Sequence, residues 1–196
     1  MRTLHPSFIV GIGGSAGGLK AYKALLDALP CNTGMAFVVV SHILPTANSQ
    51  LAAILSAHTK MPVLVATTAM PIQANHVYVS PPDSDLLIEG GTFKVVSPRT
   101  GRNKLIDLFF TSLADAMGAC AIGIILSGYD GDGTLGCKHI KAKGGQTFAQ
   151  DMSAEVADMS LSAQAAGNID FVLPLNKISD ELQKLKKSSI KKLNTG

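Results

Sequence analysis

Three apolar runs in this 196-residue chain each end in residues suited to acyl transfer. Phe8-Ile9-Val10 leads into Gly11-Ile12-Gly13-Gly14-Ser15-Ala16-Gly17-Gly18, which puts Ser15 in a glycine-rich turn. Phe37-Val38-Val39-Val40 runs into Ser41-His42, and Ala121 to Leu126 runs into Ser127-Gly128-Tyr129-Asp130-Gly131-Asp132-Gly133. A serine hydroxyl is a weak nucleophile until a base takes its proton, and the base needs a third group to hold its ring and tautomer. Ser15, His42 and an aspartate of the third turn supply those types. The glycines would let Ser15 sit on a tight strand-to-helix turn, where free backbone N–H groups can hold an oxyanion. The chain order Ser–His–Asp differs from the three orders of well-known hydrolase folds, but such triads are defined by geometry.

Each residue also has an ordinary explanation. Ser15 could only cap a helix, His42 could be a satisfied structural histidine, and Asp132 could only serve a glycine-rich turn. A competing chemistry is written in the same glycines. Gly11-x-Gly13-x-x-Ala16 matches a dinucleotide-binding turn. That site needs an acid about 20 residues on for the ribose, yet the second apolar run ends in Ser41-His42, and Asp27 falls in the intervening helical pattern. No Gly-Lys-Ser/Thr follows, which excludes a Walker loop. A non-catalytic docking domain is the third reading.

These residues can meet only if their apolar runs are neighbours. The runs are short, β-branched and separated by helical patterns, which predicts a doubly wound α/β fold: a mostly parallel sheet with helices on both faces. Ligands of such sheets bind beyond the carboxyl ends of the strands. Strands are expected at 8–10, 35–41, 62–65, 76–79, 121–126, 146–149 and 171–173. Helices are expected at 19–29, 49–58, 106–117, 134–143, 153–166 and 179–193. Leu86-Leu87-Ile88 and Phe93 to Val96, joined through Gly90-Gly91, predict an inserted β-hairpin at one edge or end of the sheet.

Composition bounds the function classes. Hydrophobic residues make up 46% and charged residues 16%, so the chain is too apolar to be disordered. Six lysines from Lys177 onward, against Asp180 and Glu181, account for the net positive charge; the body before them is nearly neutral, with no electrostatic footprint for nucleic acid. We divide the chain into a body at 1–177 and a helix with a lysine-rich tail at 178–196. Cys31, Cys120 and Cys137 show no disulfide framework, which suits a cytoplasmic protein. Cys137 and His139 lack a second ligand pair, and His5, His58 and His76 show no ligand spacing, so no metal or other cofactor is expected. No apolar run reaches the ~20 residues of a membrane span.

With these stretches in place, the sequence resembles the catalytic domain of chemotaxis protein-glutamate methylesterases, most closely the methylesterase module of methyltransferase–methylesterase fusions. The resemblance rests on residues 10–19, 36–42, 77–82 (Val-Tyr-Val-Ser-Pro-Pro), 127–136 and 149–151 (Ala-Gln-Asp), and runs from about residue 8 to residue 175. It implies Ser15 as nucleophile, His42 as base, and Asp132, rather than Asp130, as the orienting carboxylate. The backbone N–H groups of Ala16 and Tyr129 would hold the oxyanion. The implied reaction is hydrolysis of glutamate γ-methyl esters on the cytoplasmic domain of chemoreceptors, releasing methanol, with receptor glutamine deamidation in some members. Three stretches depart from the family pattern. Asp130 stands where a small residue is usual, Asp158-Met159-Ser160 replaces Gly-Met-Pro, and Asn103-Lys104 replaces Arg-Pro. These changes open the alternative of a catalytically impaired docking relative. The first strand begins by Phe8, so the family's phosphoacceptor domain is missing before it; the expectations are a constitutively open site, control by a separate regulatory protein, or a fragment of a larger chain.

Overall fold

The computed structural model describes residues 5–42, 45–101 and 104–193. A seven-stranded sheet, parallel throughout, forms its centre, in the order β3-β4-β2-β1-β7-β8-β9. The strands are β1 (Ile9–Gly14), β2 (Ala36–Ser41), β3 (Val63–Val65), β4 (His76–Val79), β7 (Ala121–Ile125), β8 (Gln146–Gln150) and β9 (Phe171–Leu173). Strands β5 (Asp85–Glu89) and β6 (Thr92–Val96) form a separate antiparallel pair. β1, β2 and β7 are buried along their whole length, which is why they read as unbroken apolar runs.

Alternate strand residues feed two cores. On one face Val10, Ile12, Phe37, Val39, Ile122 and Ile124 pack with α1 (Gly18–Ala28), α2 (Pro45–Ser56) and α6 (Leu175–Leu193). On the other face Ile9, Val38, Val40 and Ile125 pack with α3 (Leu105–Met117), α4 (Thr134–Ala142) and α5 (Asp158–Ala165). The hairpin does not extend an edge of the sheet, as expected from sequence. It lies against α3, where the Ile88 N–H donates to Ser112 Oγ at 3.1 Å and Phe93 meets Tyr78 of β4 edge-on.

Gly11 and Gly13 differ most from their reading in the sequence. They lie within β1, not in the turn after it. A Cβ on Gly11 would stand 2.7 Å from Phe110 Cε1, and one on Gly13 would stand 2.6 Å from Ile106 Cγ2. The missing side chains let α3 lie directly on the sheet, so its first turn reaches the carboxyl end of β1. The dinucleotide reading fails at this point, because α3 covers both glycines and leaves neither open for a phosphate to approach.

Two helices also differ. α5 begins at Asp158, and residues 151–157 form turns, where a helix from Ser153 was expected. α6 begins at Leu175 and seats Ile178 and Leu182 in the core beside α1, so position 177/178 lies inside a packed helix. Asn103 and part of the stretch before α3 fall outside the described residues.

Candidate active site

β1 is where the sheet changes direction. The chain lays β2, β3 and β4 on one side, with β4 inserted between β2 and the edge strand β3, then crosses to β7, β8 and β9 on the other. A crevice opens at such a switch point, beyond the strand ends. Ser15 follows β1, His42 follows β2, and Asp132 follows β7. The β1–β2 register pairs Gly14 with Ser41, so Ser15 and His42 come next on adjacent strands. The His42 N–H reaches the Gly14 carbonyl at 3.4 Å.

Asp132 is built in from every side. Its side chain is fully buried. Oδ2 lies 2.5 Å from His42 Nε2 and accepts the Ile106 N–H at 3.0 Å, while Oδ1 accepts the Asp107 N–H at 2.9 Å. Those two N–H groups belong to the first turn of α3, whose own N-cap residue, Lys104, offers no side-chain hydrogen bond. A helix start has unsatisfied donors and a partial positive charge, and Asp132 meets both needs from a distant turn. The arrangement is reciprocated: Asp107 Oδ1 accepts the Gly136 N–H at 2.8 Å in the first turn of α4. Burial and the charge of Asp132 push the Asp107 carboxyl up, against the N–H groups of Gly136, Gly133 and Leu135.

His42 is thereby fixed through Nε2, and its side chain is only 11% exposed. Its other nitrogen, Nδ1, faces Asp130 Oδ2 at 3.3 Å. Burial pulls the imidazole down. The hydrogen bond and charge of Asp132, joined by the charge of Asp130, outweigh that pull and Arg99's opposing charge, so His42 stands above the ordinary histidine value.

Ser15 is partly exposed, on the short turn between β1 and α1. Among the described residues no hydrogen bond joins its Oγ to His42. The turn is held by its backbone: Ser15 N–H donates to the Ser127 carbonyl at 2.8 Å, and Ser15 O accepts the Gly18 N–H at 2.9 Å. Gly17 takes φ +74°, a left-handed conformation that favours glycine. The N–H groups of Ala16 and Tyr129 make no backbone hydrogen bond among the described residues. A cleft of about 690 Å³ runs from Ser15 and Gly17 between α1 and α2, past Lys20, Leu51 and Glu155. Tyr129 and Met152 stand exposed nearby in the chain's surface turns.

Several supporting residues carry no signal in the sequence. Ser127 Oγ donates to the Ala16 carbonyl at 2.6 Å and accepts the Val156 N–H at 3.0 Å, tying the Ser15 turn to the 151–157 segment. Ser41 Oγ donates to the Gly14 carbonyl at 3.2 Å. The Tyr22 ring fills the space beside Gly14 and Gly18. Only the fold brings these partners together. Asp130, by contrast, was visible in the sequence as a departure beside Asp132. Cys137 lies on the buried face of α4, in the core, and the described cysteines are all free.

Comparison with known proteins gives one answer. A family model described as CheB methylesterase matches residues 10–182. A Burkholderia orbicola protein named protein-glutamate methylesterase/protein-glutamine glutaminase 3 is 35% identical over 186 residues, covering 89% of this chain and 52% of its own length. A Leptospira interrogans protein, whose name gives the same two activities provisionally, is 34% identical over 183 residues, covering 91% of this chain and 95% of its own length. The chain thus spans about half of the Burkholderia protein and nearly all of the Leptospira one. The crystal structure of the Thermotoga maritima CheB methylesterase catalytic domain superposes with a TM-score of 0.83 at 29% identity, over 91% of this chain and 98% of that one. Family model, sequence relatives and fold agree, and the chain belongs to the CheB methylesterase family.

Proposed function

We propose that this protein is a serine-dependent esterase that hydrolyses glutamate γ-methyl esters on the cytoplasmic domain of chemoreceptors. The observation that carries this reading is the His42–Asp132 pair at the sheet's switch point, with Ser15 and His42 each one residue beyond the Gly14–Ser41 pair of the β1–β2 register. In the working form, Nε2–H of neutral His42 donates to Asp132, which leaves the Nδ1 lone pair as the base. Nδ1 takes the Ser15 proton as Oγ attacks the ester carbonyl. The Ala16 and Tyr129 N–H groups hold the oxyanion. Methanol leaves with the proton from Nδ1, and water, activated by the same nitrogen, releases the glutamate carboxylate and restores Ser15. A glutamine side chain in the same position would lose ammonia by the same steps, in keeping with the second activity in the relatives' names.

No helix among the described residues is long and apolar enough to cross a membrane. The reading has the protein act on the receptor's cytoplasmic domain. Methanol release from a methylated receptor tests it. The unaltered protein should release methanol and Ser15→Ala should not. Equal release by both proteins would remove Ser15 from the chemistry, and none by either would end the esterase reading.

A further inference from the structure

Both ring nitrogens of His42 face carboxylates, and the two acids are held differently. Asp132 is buried and receives two backbone N–H groups from α3. Asp130 is 31% exposed at its side chain, and its Oδ1 accepts the Asp132 N–H at 3.1 Å. That bond within the turn aims Oδ2 of Asp130 at His42 Nδ1. Nδ1 is also the nitrogen that the esterase chemistry needs free, since Nε2 belongs to Asp132. An ionised carboxylate is an acceptor only, so it can engage Nδ1 only when that nitrogen carries a proton. A neutral ring would set lone pair against lone pair.

We propose that Asp130 is a positioning residue that clamps His42 in its doubly paired imidazolium form, with Nδ1 occupied and closed to Ser15, and so holds the site in a resting state. The clamp itself rests on geometry; its effect on catalysis rests on the esterase reading above. The charged groups acting on the ring, among the described residues, are Asp132 and Asp130 from the turn after β7 and Arg99 from the segment after β6. Arg99 opposes the clamp, but its guanidinium is shared with Asp83 at 3.5 Å. The end of β1 brings no titrating group to the ring. Release needs no co-reactant. Nδ1 gives its proton to water, the contact with Asp130 becomes repulsive, and the partly exposed carboxylate turns to solvent. The freed lone pair then faces Ser15.

Asp130→Asn removes the charge while keeping an oxygen that can accept the Asp132 N–H. Two readouts on the full chain separate the clamp from the esterase reading: the titration of His42 followed by its ring proton resonances, and the pH dependence of Ser15 labelling by a fluorophosphonate. In Asp130→Asn the His42 midpoint should move to lower pH. Labelling below pH 7 should rise about threefold to fivefold, the size of a partly screened ion pair, and the two labelling curves should merge at high pH. An unchanged His42 midpoint would overturn the clamp, and so would a lowered midpoint without faster labelling of a protein that does label. If Ser15 is labelled in neither protein at any pH, the esterase reading fails, and the titration still decides the clamp. Should the variant fold poorly, added salt on the unaltered protein gives a second test. It screens exposed Asp130 more than buried Asp132, so the His42 midpoint should fall; a midpoint indifferent to salt would count against the clamp.

Discussion

The turns on either side of β1 are built to different standards. The turn after β7 engages both oxygens of Asp132, locks His42 through Nε2 and closes the first turn of α3. The turn after β1 is anchored by its backbone but, among the described residues, leaves Ser15 Oγ unpaired with His42 and the Ala16 N–H without a backbone acceptor. Under the esterase chemistry we propose, the contrast separates two jobs. Orientation of the base is permanent and part of the folded core. Engagement of the nucleophile is left open for substrate and for loss of the Nδ1 proton.

Substitutions on the two sides should therefore differ in kind. Ser15→Ala should reduce ester turnover by about 10⁶-fold and leave stability within about 0.5 kcal/mol. A large loss of stability, read by chemical denaturation, would break the contrast. Asp132→Asn should reduce turnover by about 10⁴-fold and also cost about 1 kcal/mol, because one oxygen can no longer serve the α3 cap. Gly13→Ala touches neither turn directly, yet should destabilise by about 1–3 kcal/mol, since the new methyl drives Ile106 and the start of α3 off the sheet. Its turnover should fall as well, because Ile106 supplies a donor to Asp132.

The pH prediction sharpens the comparison. His42 is raised above the ordinary histidine value by Asp132 and Asp130, against its burial. The base form is populated only as pH climbs past that raised midpoint, so turnover should increase about tenfold per pH unit below it and then level off. Stability should move the other way. The charged ring contributes fully below the unfolded value, and that contribution is lost as pH rises through the folded midpoint. Turnover and unfolding free energy measured across the same range should show opposite slopes; parallel slopes would mean that His42 is not the group being titrated.

Much of this arrangement was legible in the sequence because its signals are local. A continuous apolar run that stops at a polar residue marks a buried strand and what lies beyond it, so Ser15, His42 and the two aspartates of the turn after β7 were visible together, and the family resemblance chose Asp132 between them. The roles of Gly11 and Gly13 were not, because they depend on Phe110 and Ile106, which lie roughly a hundred residues away in the chain. The cap on α3 was hidden for the same reason. Residues 153–157 show helical spacing, but Gly128 and Ser127 take their backbone groups: Gly128 N–H donates to the Val156 carbonyl at 3.0 Å, and Ser127 Oγ accepts the Val156 N–H. Tertiary hydrogen bonds override local propensity there. Asp130 was visible as a departure, but only the structure shows which ring atom it meets.

The exchange of carboxylates between α3 and α4 carries a lesson about descent. Asp132 closes one helix and Asp107 the other, so the residue that steadies the imidazole is also a joint in the scaffold. A lineage that abandoned ester hydrolysis would still be selected to keep that joint, whereas nothing in the scaffold would protect the serine hydroxyl. Erosion of the trade should thus begin at position 15, and an aspartate at 132 in some silent cousin would testify to architecture alone.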